Sequence, residues 1–470
     1  MKKIFTILCT GLLVAGCAIG PDYEQPPAPE YPVHRSADVT VEKQTLADVK
    51  WFELFQDPQL KELIRVALEK NEDLQIATAR VLEAQAAYGI ARSDLFPHIN
   101  AEAGADWSRY SRNSYPSGPA DRENDNYTAG LNLNWEIDLW GKLRRLDEAA
   151  RAEYLSQEWN RNAVQVSLIA SVAQAYFEMR VLDQEKEISN RTKDAREKSL
   201  RMTRLRKNLG VATRLEERQA ENLYYTATAR LPEIERGIVQ RENLIAVLLA
   251  QPPSDIPRGL SITDQSAPLE IPAGLPSDLL TRRPDIQAAE QRLIAANARI
   301  GAARALYFPQ ISLTGFLGVQ TTDLGEFITS DSTAWNAAAG LLQPIFNAGQ
   351  IASINEQTKA QYMGLLADYR KTVLTAFQDV SDSLTGYQKS RESRIEQEKL
   401  VAALKDNADL ANKRFMGGLD SYLQVLDAER SLYDAELNLA RIQGQELVYL
   451  VRIYKSLGGG WEMPVETASN

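Results

Sequence analysis

Histidine and cysteine are nearly absent from this chain, which carries two of each in 470 residues. His34 and His98 stand in no ligand-spaced cluster, and no nucleophile motif or phosphate-cradling glycine loop accompanies them. Enzyme chemistry, a cofactor or a metal centre therefore has little to work with. Six methionines weaken a copper-export reading, although soft ligands can be few. Basic residues (53) are outnumbered by acidic ones (63), and a net charge of -10 argues against a nucleic-acid surface. After residue 16 no apolar run approaches the roughly 18 residues that a spanning helix requires. Any membrane crossing beyond that point falls to strands.

The first residues, MKKIFTILCTGLLVAGC, have the layout of an export signal: two lysines, an apolar run and small residues before Cys17. The ending Val14-Ala15-Gly16-Cys17 resembles a bacterial lipoprotein signal, which would make Cys17 the acylated first residue of the mature chain; the alternative is an ordinary signal cut nearby. Cys9 is lost with the signal in either case, so no intramolecular disulfide remains possible. Ala18 follows the cysteine where an inner-membrane retention aspartate would sit, which favours the outer membrane.

The chain repeats itself. Slid by 212 positions, Asp73–Ile99 lands on Asp285–Ile311 without a gap, and 12 of the 27 pairs are identical, among them Gly89/Gly301, Phe96/Phe308 and Pro97/Pro309. At an offset of 208, Gly141 meets Gly349, Gly210 meets Gly418, Leu215 meets Leu423 and Glu221 meets Glu429. A period this long is no solenoid repeat; each half is a structural unit laid beside its twin.

In order, the sequence predicts a signal over 1–16, an acylated, proline-rich extended arm over 17–58, a first repeat over 59–250, a proline-rich connector over 251–276, a second repeat over 277–457 and a loose tail over 458–470. Asp57-Pro58 caps a helix that runs from about Gln59 to Leu95, ended by Phe96-Pro97. A strand follows from Ile99, and its return strand alternates strictly. Tyr127, Ala129, Leu131, Leu133, Trp135, Ile137 and Leu139 fall on one face, with Thr128, Gly130, Asn132, Asn134, Glu136 and Asp138 on the other. A membrane barrel strand needs that pattern, and a sandwich strand shares it.

No glycine or proline then occurs between Gly141 and Gly210, giving a helix of roughly 100 Å with two apolar stripes, as in a ring of helices. Thr213 and Glu216 read as a capping box for the helix back to about Ala250. The second half repeats the plan: a helix from Pro276-Ser277 to Phe308, strands near Ile311–Gln320 and Thr333–Phe346, a long helix over 350–416, and Ser421 with Gln424 as a second capping box.

Four strands cannot close a barrel, and an open edge in lipid leaves backbone groups unpaired at several kcal/mol each. Two chains would be the minimum, and three would give twelve strands. Each half has one long helix and two short ones, so four helical columns per chain also give twelve in a trimer.

The segments WFELFQDPQL (51–60), PSDLLTRRPDIQAAE (276–290), WEIDLWG (135–141), PIFNAG (344–349) and RFMGGLDSYLQVLDAE (414–429) resemble the TolC family of outer-membrane efflux ducts, closest to its lipoprotein branch of the OprM and NodT kind. The resemblance covers nearly all of the mature chain. It implies a mixed α and β membrane protein: a homotrimer whose 12-stranded outer-membrane β-barrel is continued by a long 12-helix periplasmic α-barrel, each chain a tandem structural duplication. It also implies a periplasmic adaptor and an inner-membrane pump of RND type as partners, with outer-membrane lipid holding the anchor, and drugs or other small toxic compounds as cargo. The alternatives are an exit duct for secreted proteins and a structural coiled-coil envelope lipoprotein.

Asp420 is the polar residue singled out. It corresponds to Ala212 in the first half, and Ser421 is expected to supply the helix cap beside it. An acid added at one tip per chain becomes a ring of three on a threefold axis, where the resemblance implies a pore constriction; the bland alternative is a solvated tip residue. Gly210, Val211, Gly417, Gly418 and Leu419 break the helices and are the candidate adaptor contacts. Arg282 and Arg283 are expected to form structural ion pairs.

Overall fold

The computed structural model describes residues 18–27, 51–109, 111, 123–265 and 278–459. Cys17, His34 and the tail after Gly459 lie outside the described residues. The helices are α1 (Trp51–Leu54), α2 (Pro58–Lys70), α3 (Glu72–Ser93), α4 (Lys142–Asn208), α5 (Arg214–Leu248), α6 (Asp278–Arg282), α7 (Pro284–Ala305), α8 (Gln350–Met416) and α9 (Tyr422–Ser456). The strands are β1 (His98–Arg109), β2 (Glu123–Ile137), β3 (Gln310–Thr321) and β4 (Thr333–Leu342). Matching helices of the two halves have equal lengths: 22 residues in α3 and α7, 67 in α4 and α8, 35 in α5 and α9. No described helix is long and apolar enough to cross a membrane.

Three expected boundaries move. The single helix expected over 59–95 breaks at Asn71, whose ψ of 129° is not helical. Its amide donates to the Leu248 carbonyl at 3.0 Å, and its side-chain oxygen accepts from Leu74 N–H at 3.1 Å. A short polar side chain thus competes with the helix ladder. In the second half the helix divides at Arg283, the residue before Pro284, where the proline ring disfavours helical backbone. β4 stops at Leu342, because Pro344 has no N–H to offer a ladder.

The residues fall into two compact units, each drawing on both halves: Met1–Pro27, Arg80–Glu158 and Ala288–Tyr369 in one, Ala28–Ala79, Trp159–Gln287 and Arg370–Asn470 in the other. The first holds the sheet, antiparallel in the order β1-β2-β3-β4. β2 and β3 join the halves with Leu131 opposite Leu317, Trp135 opposite Leu313 and Ile137 opposite Ile311. The side-chain period of two then gathers most of the apolar residues of the four strands on one face, with Phe316 and Leu342 on the other. Aromatics stand towards both ends of that face: Trp107 meets Tyr127 edge-on at 5.9 Å, and Trp135 donates to the Leu95 carbonyl at 3.1 Å. β1 and β4 each keep one edge without a strand partner among the described residues.

The arm is seated along α7. Ile19 N–H donates to the Trp140 carbonyl (3.0 Å), Asn297 to the Pro21 carbonyl (2.9 Å), and Asp22 accepts from Arg145 (2.8 Å). A Cβ on Gly20 would lie 2.4 Å from the Gly301 Cα, so this crossing admits only glycine opposite glycine. Gly89, the counterpart of Gly301, faces open space.

In the second unit one carboxylate organises the start of α2. Asp57 is fully buried and accepts from Gln59 N–H (2.9 Å), the Tyr176 hydroxyl (2.6 Å), Leu260 N–H (2.9 Å) and the Gln265 amide (2.9 Å). It therefore ties α2 to α4 and to the connector. Burial works against its charge, but the donors led by Tyr176 outweigh it and hold the carboxyl below its ordinary value. Arg283 is likewise buried and ion-paired as expected, with Asp285 at 2.7 Å and Asp379 at 3.1 Å, and it donates to the Ser456 carbonyl at 3.1 Å.

Asp57→Ala removes the acceptor of the buried Tyr176 hydroxyl and of the part-buried Gln59, Leu260 and Gln265 donors and is predicted to cost about 2–4 kcal/mol. Because folding lowers the pKa, the carboxylate's contribution is complete above the unfolded value of about 4 and is lost as pH falls through the folded value. The melting-temperature gap between wild type and Asp57→Ala, read by circular dichroism, should be widest at neutral pH and narrow below about pH 3. A gap that ignores pH would exclude the ionised carboxylate as its cause.

Candidate functional site at the helical tips

The second unit holds the tip ends of two hairpins, α4 from Trp159 with α5 and α8 from Arg370 with α9. α4 is tied to α9 by Arg441 to Glu185 (2.6 Å) and Arg191 to Glu436 (2.8 Å), and α8 to α9 by Arg394 to Glu446 (2.6 Å). Arg196 of α4, almost wholly buried, donates to the carbonyls of Leu223 in α5 (2.8 Å) and Glu429 in α9 (3.3 Å) and lies 4.9 Å over the Tyr433 ring. Burial lowers the Arg196 pKa and raises that of Glu429.

Both hairpins turn by the same device. Gly210 (φ 78°) donates to the Lys207 carbonyl and Val211 to that of Arg206; Gly418 (φ 71°) donates to Phe415 and Leu419 to Arg414. Each is a Schellman ending whose left-handed position suits glycine. Val211 and Leu419 stand exposed beside Leu209, Leu215, Met416 and Leu423, so each tip presents apolar side chains to solvent. Beneath them Leu200, Ala220, Ala408, Ala411, Tyr422, Val425 and Ala428 form one core from all four helices. Arg206 crosses between tips, 4.8 Å over the Phe415 ring, which packs 5.1 Å from Tyr422.

The tips differ in their caps. Thr213 and Glu216 form the expected capping box, each side chain reaching the other's backbone. Ser421 does not: its side chain makes no capping hydrogen bond, so the second box expected from the sequence is absent. The neighbouring acid is engaged elsewhere. Asp420 is held in a fork by Arg414, with Nε to Oδ2 at 2.5 Å and a terminal nitrogen to Oδ1 at 3.2 Å. The guanidinium bond keeps the Asp420 carboxyl below its ordinary range. Arg414 was missed in the sequence, although the 208-residue offset sets it against Arg206.

A four-stranded amphipathic sheet together with two long helical hairpins places the chain in the class of outer-membrane channels. The outer membrane efflux protein family model matches residues 63–251 and 275–459. The toluene efflux pump outer membrane protein TtgC of Pseudomonas putida is 37% identical over 472 residues, spanning 98% of this chain and 96% of its own. The cation efflux system protein CusC of Escherichia coli O157:H7 is 31% identical over 458 residues, 97% of this chain and 98% of its own. The crystal structure of the open state of the Neisseria gonorrhoeae MtrE outer membrane channel superposes with a TM-score of 0.87 at 34% identity, covering 95% of this chain and 99% of that one. The chain belongs to the outer membrane efflux protein family.

The cap asymmetry is directly testable. Thr213→Ala should cost about 1 kcal/mol at the first tip, seen as roughly fivefold faster amide exchange at Glu216 and Glu217, whereas Ser421→Ala should leave the second tip unchanged. Equal effects at both tips would contradict it.

Proposed function

We propose that three copies of this chain close a twelve-stranded outer-membrane barrel continued by twelve helical columns, forming a passive duct for a tripartite efflux system. The observation that carries this reading is the four-stranded sheet with an apolar face and, among the described residues, two open edges. Such edges in lipid demand partners, and copies of the same sheet supply them. The matched helix lengths support the reading of each chain as a tandem duplication.

The exposed apolar tips at Gly210, Val211, Gly417, Gly418 and Leu419 are the surface for a periplasmic adaptor, which links the duct to an inner-membrane pump of RND type. Cys17 carries the acyl anchor, a role consistent with the seating of Ile19, Pro21 and Asp22 immediately after it. Small toxic compounds are the proposed cargo. Relatives named for toluene and for cations share this architecture, which fits a cargo chosen by the pump rather than by the duct. Asp420 lines the narrowest part of the periplasmic entrance.

Native mass spectrometry of the detergent-purified mature chain should give three copies; a stable monomer would overturn the duct. In planar bilayers Asp420→Ala should raise the conductance of the trimer and lower its ratio of cation to anion permeability. Unchanged conductance and selectivity would remove Asp420 from the constriction.

A further inference from the structure

The two tips share a turn and an arginine but not an acid. Arg206 and Arg414 occupy the same place, four residues before the left-handed glycine, and each offers its carbonyl to the second residue of the turn. Six residues on from each stands Ala212 in one tip and Asp420 in the other. Where the acid is missing, the guanidinium turns to the neighbouring hairpin and stacks on Phe415. Where the acid is present, the guanidinium closes on it in a fork within its own turn.

We infer that Arg414 sets the charge of the entrance by neutralising Asp420, so that the duct presents a ring of ion pairs rather than a ring of bare carboxylates to what passes. This deepens the reading of Asp420 as a pore-lining residue and rests on it. Three unpaired carboxylates around one axis would repel each other and draw cations strongly; three forked pairs do neither. Lysine cannot form the planar fork but does carry the charge, so the identity of the residue separates field from geometry. Both partners are solvent-accessible and the pair is local to one turn, so the fold does not depend on it. Lys413, Arg206 and Lys207 also stand near the turns, but Arg206 is engaged with Phe415 and Lys207 with Glu217 at 2.6 Å.

The test is the reversal potential of wild-type and variant trimers in planar bilayers under a potassium chloride gradient, with trimer formation checked for each. Arg414→Gln should raise the ratio of potassium to chloride permeability by about twofold or more, and Asp420→Asn should lower it comparably. The double variant should return close to wild type, and Arg414→Lys should stay there. If Asp420→Asn shifts the ratio while Arg414→Gln does not, the acid lines the pore unneutralised and this inference fails alone. If neither variant shifts it, the pore-lining reading of Asp420 fails and takes the inference with it.

Discussion

A strand edge in lipid must find a partner, and that requirement governs how this chain can be used. Its four strands pair β1 to β2, β2 to β3 and β3 to β4 in register, so Leu133 falls opposite Ile99, Leu131 opposite Leu317 and Trp135 opposite Leu313, although Phe316 falls opposite Asn132 and Leu342 opposite Gln310. The β2 to β3 ladder consumes one edge from each half. What is left is one edge on β1 and one on β4, and no helix of the described residues can substitute as a membrane span. The apolar face, the aromatics at its ends and the open edges among the described residues are the features on which the proposed closure by further copies of the sheet rests.

The helices answer a different constraint. α4 and α8 are far longer than any isolated helix needs to be, and most of their stability comes from neighbours. On α4 the stripes through Leu168, Val172, Ala175 and Met179 and through Val166, Ile169, Ala173 and Phe177 are both buried. Interhelical ion pairs then mark the half-buried seams, as between Arg441 and Glu185. Polar links of this kind are replaceable by water when helices part.

Halves with matched helix lengths make their differences informative. Gly301 receives the arm while Gly89 receives nothing; Thr213 caps its helix while Ser421 does not; Asp420 binds Arg414 where Ala212 leaves Arg206 free to reach the other hairpin. Each divergence lies where an otherwise repeated body meets something that is not repeated. The N-terminal arm occurs once, and so does the acidic tip.

Sequence periodicity determined the elements of this protein: strands by alternation, the first long helix by the stretch without glycine or proline from Lys142 to Leu209 and the second by its repetition of that plan, and tips by Gly210 and Gly418. Those signals are local, because backbone conformation answers to neighbours within a few residues. The second unit's principal carboxylate was legible only as a cap. Its hydrogen bonds from Tyr176, Leu260 and Gln265 join residues 119 to 208 positions apart, and no local pattern announces them. The same holds at Asn71, where the Leu248 carbonyl, 177 residues away, helps to break a helix that composition alone would continue. At the tips, the turn and the acid were readable, but the partner of Asp420 and the absent cap at Ser421 were not. Which of several donors a side chain meets is decided by where folding puts them, and that choice belongs to the tertiary structure.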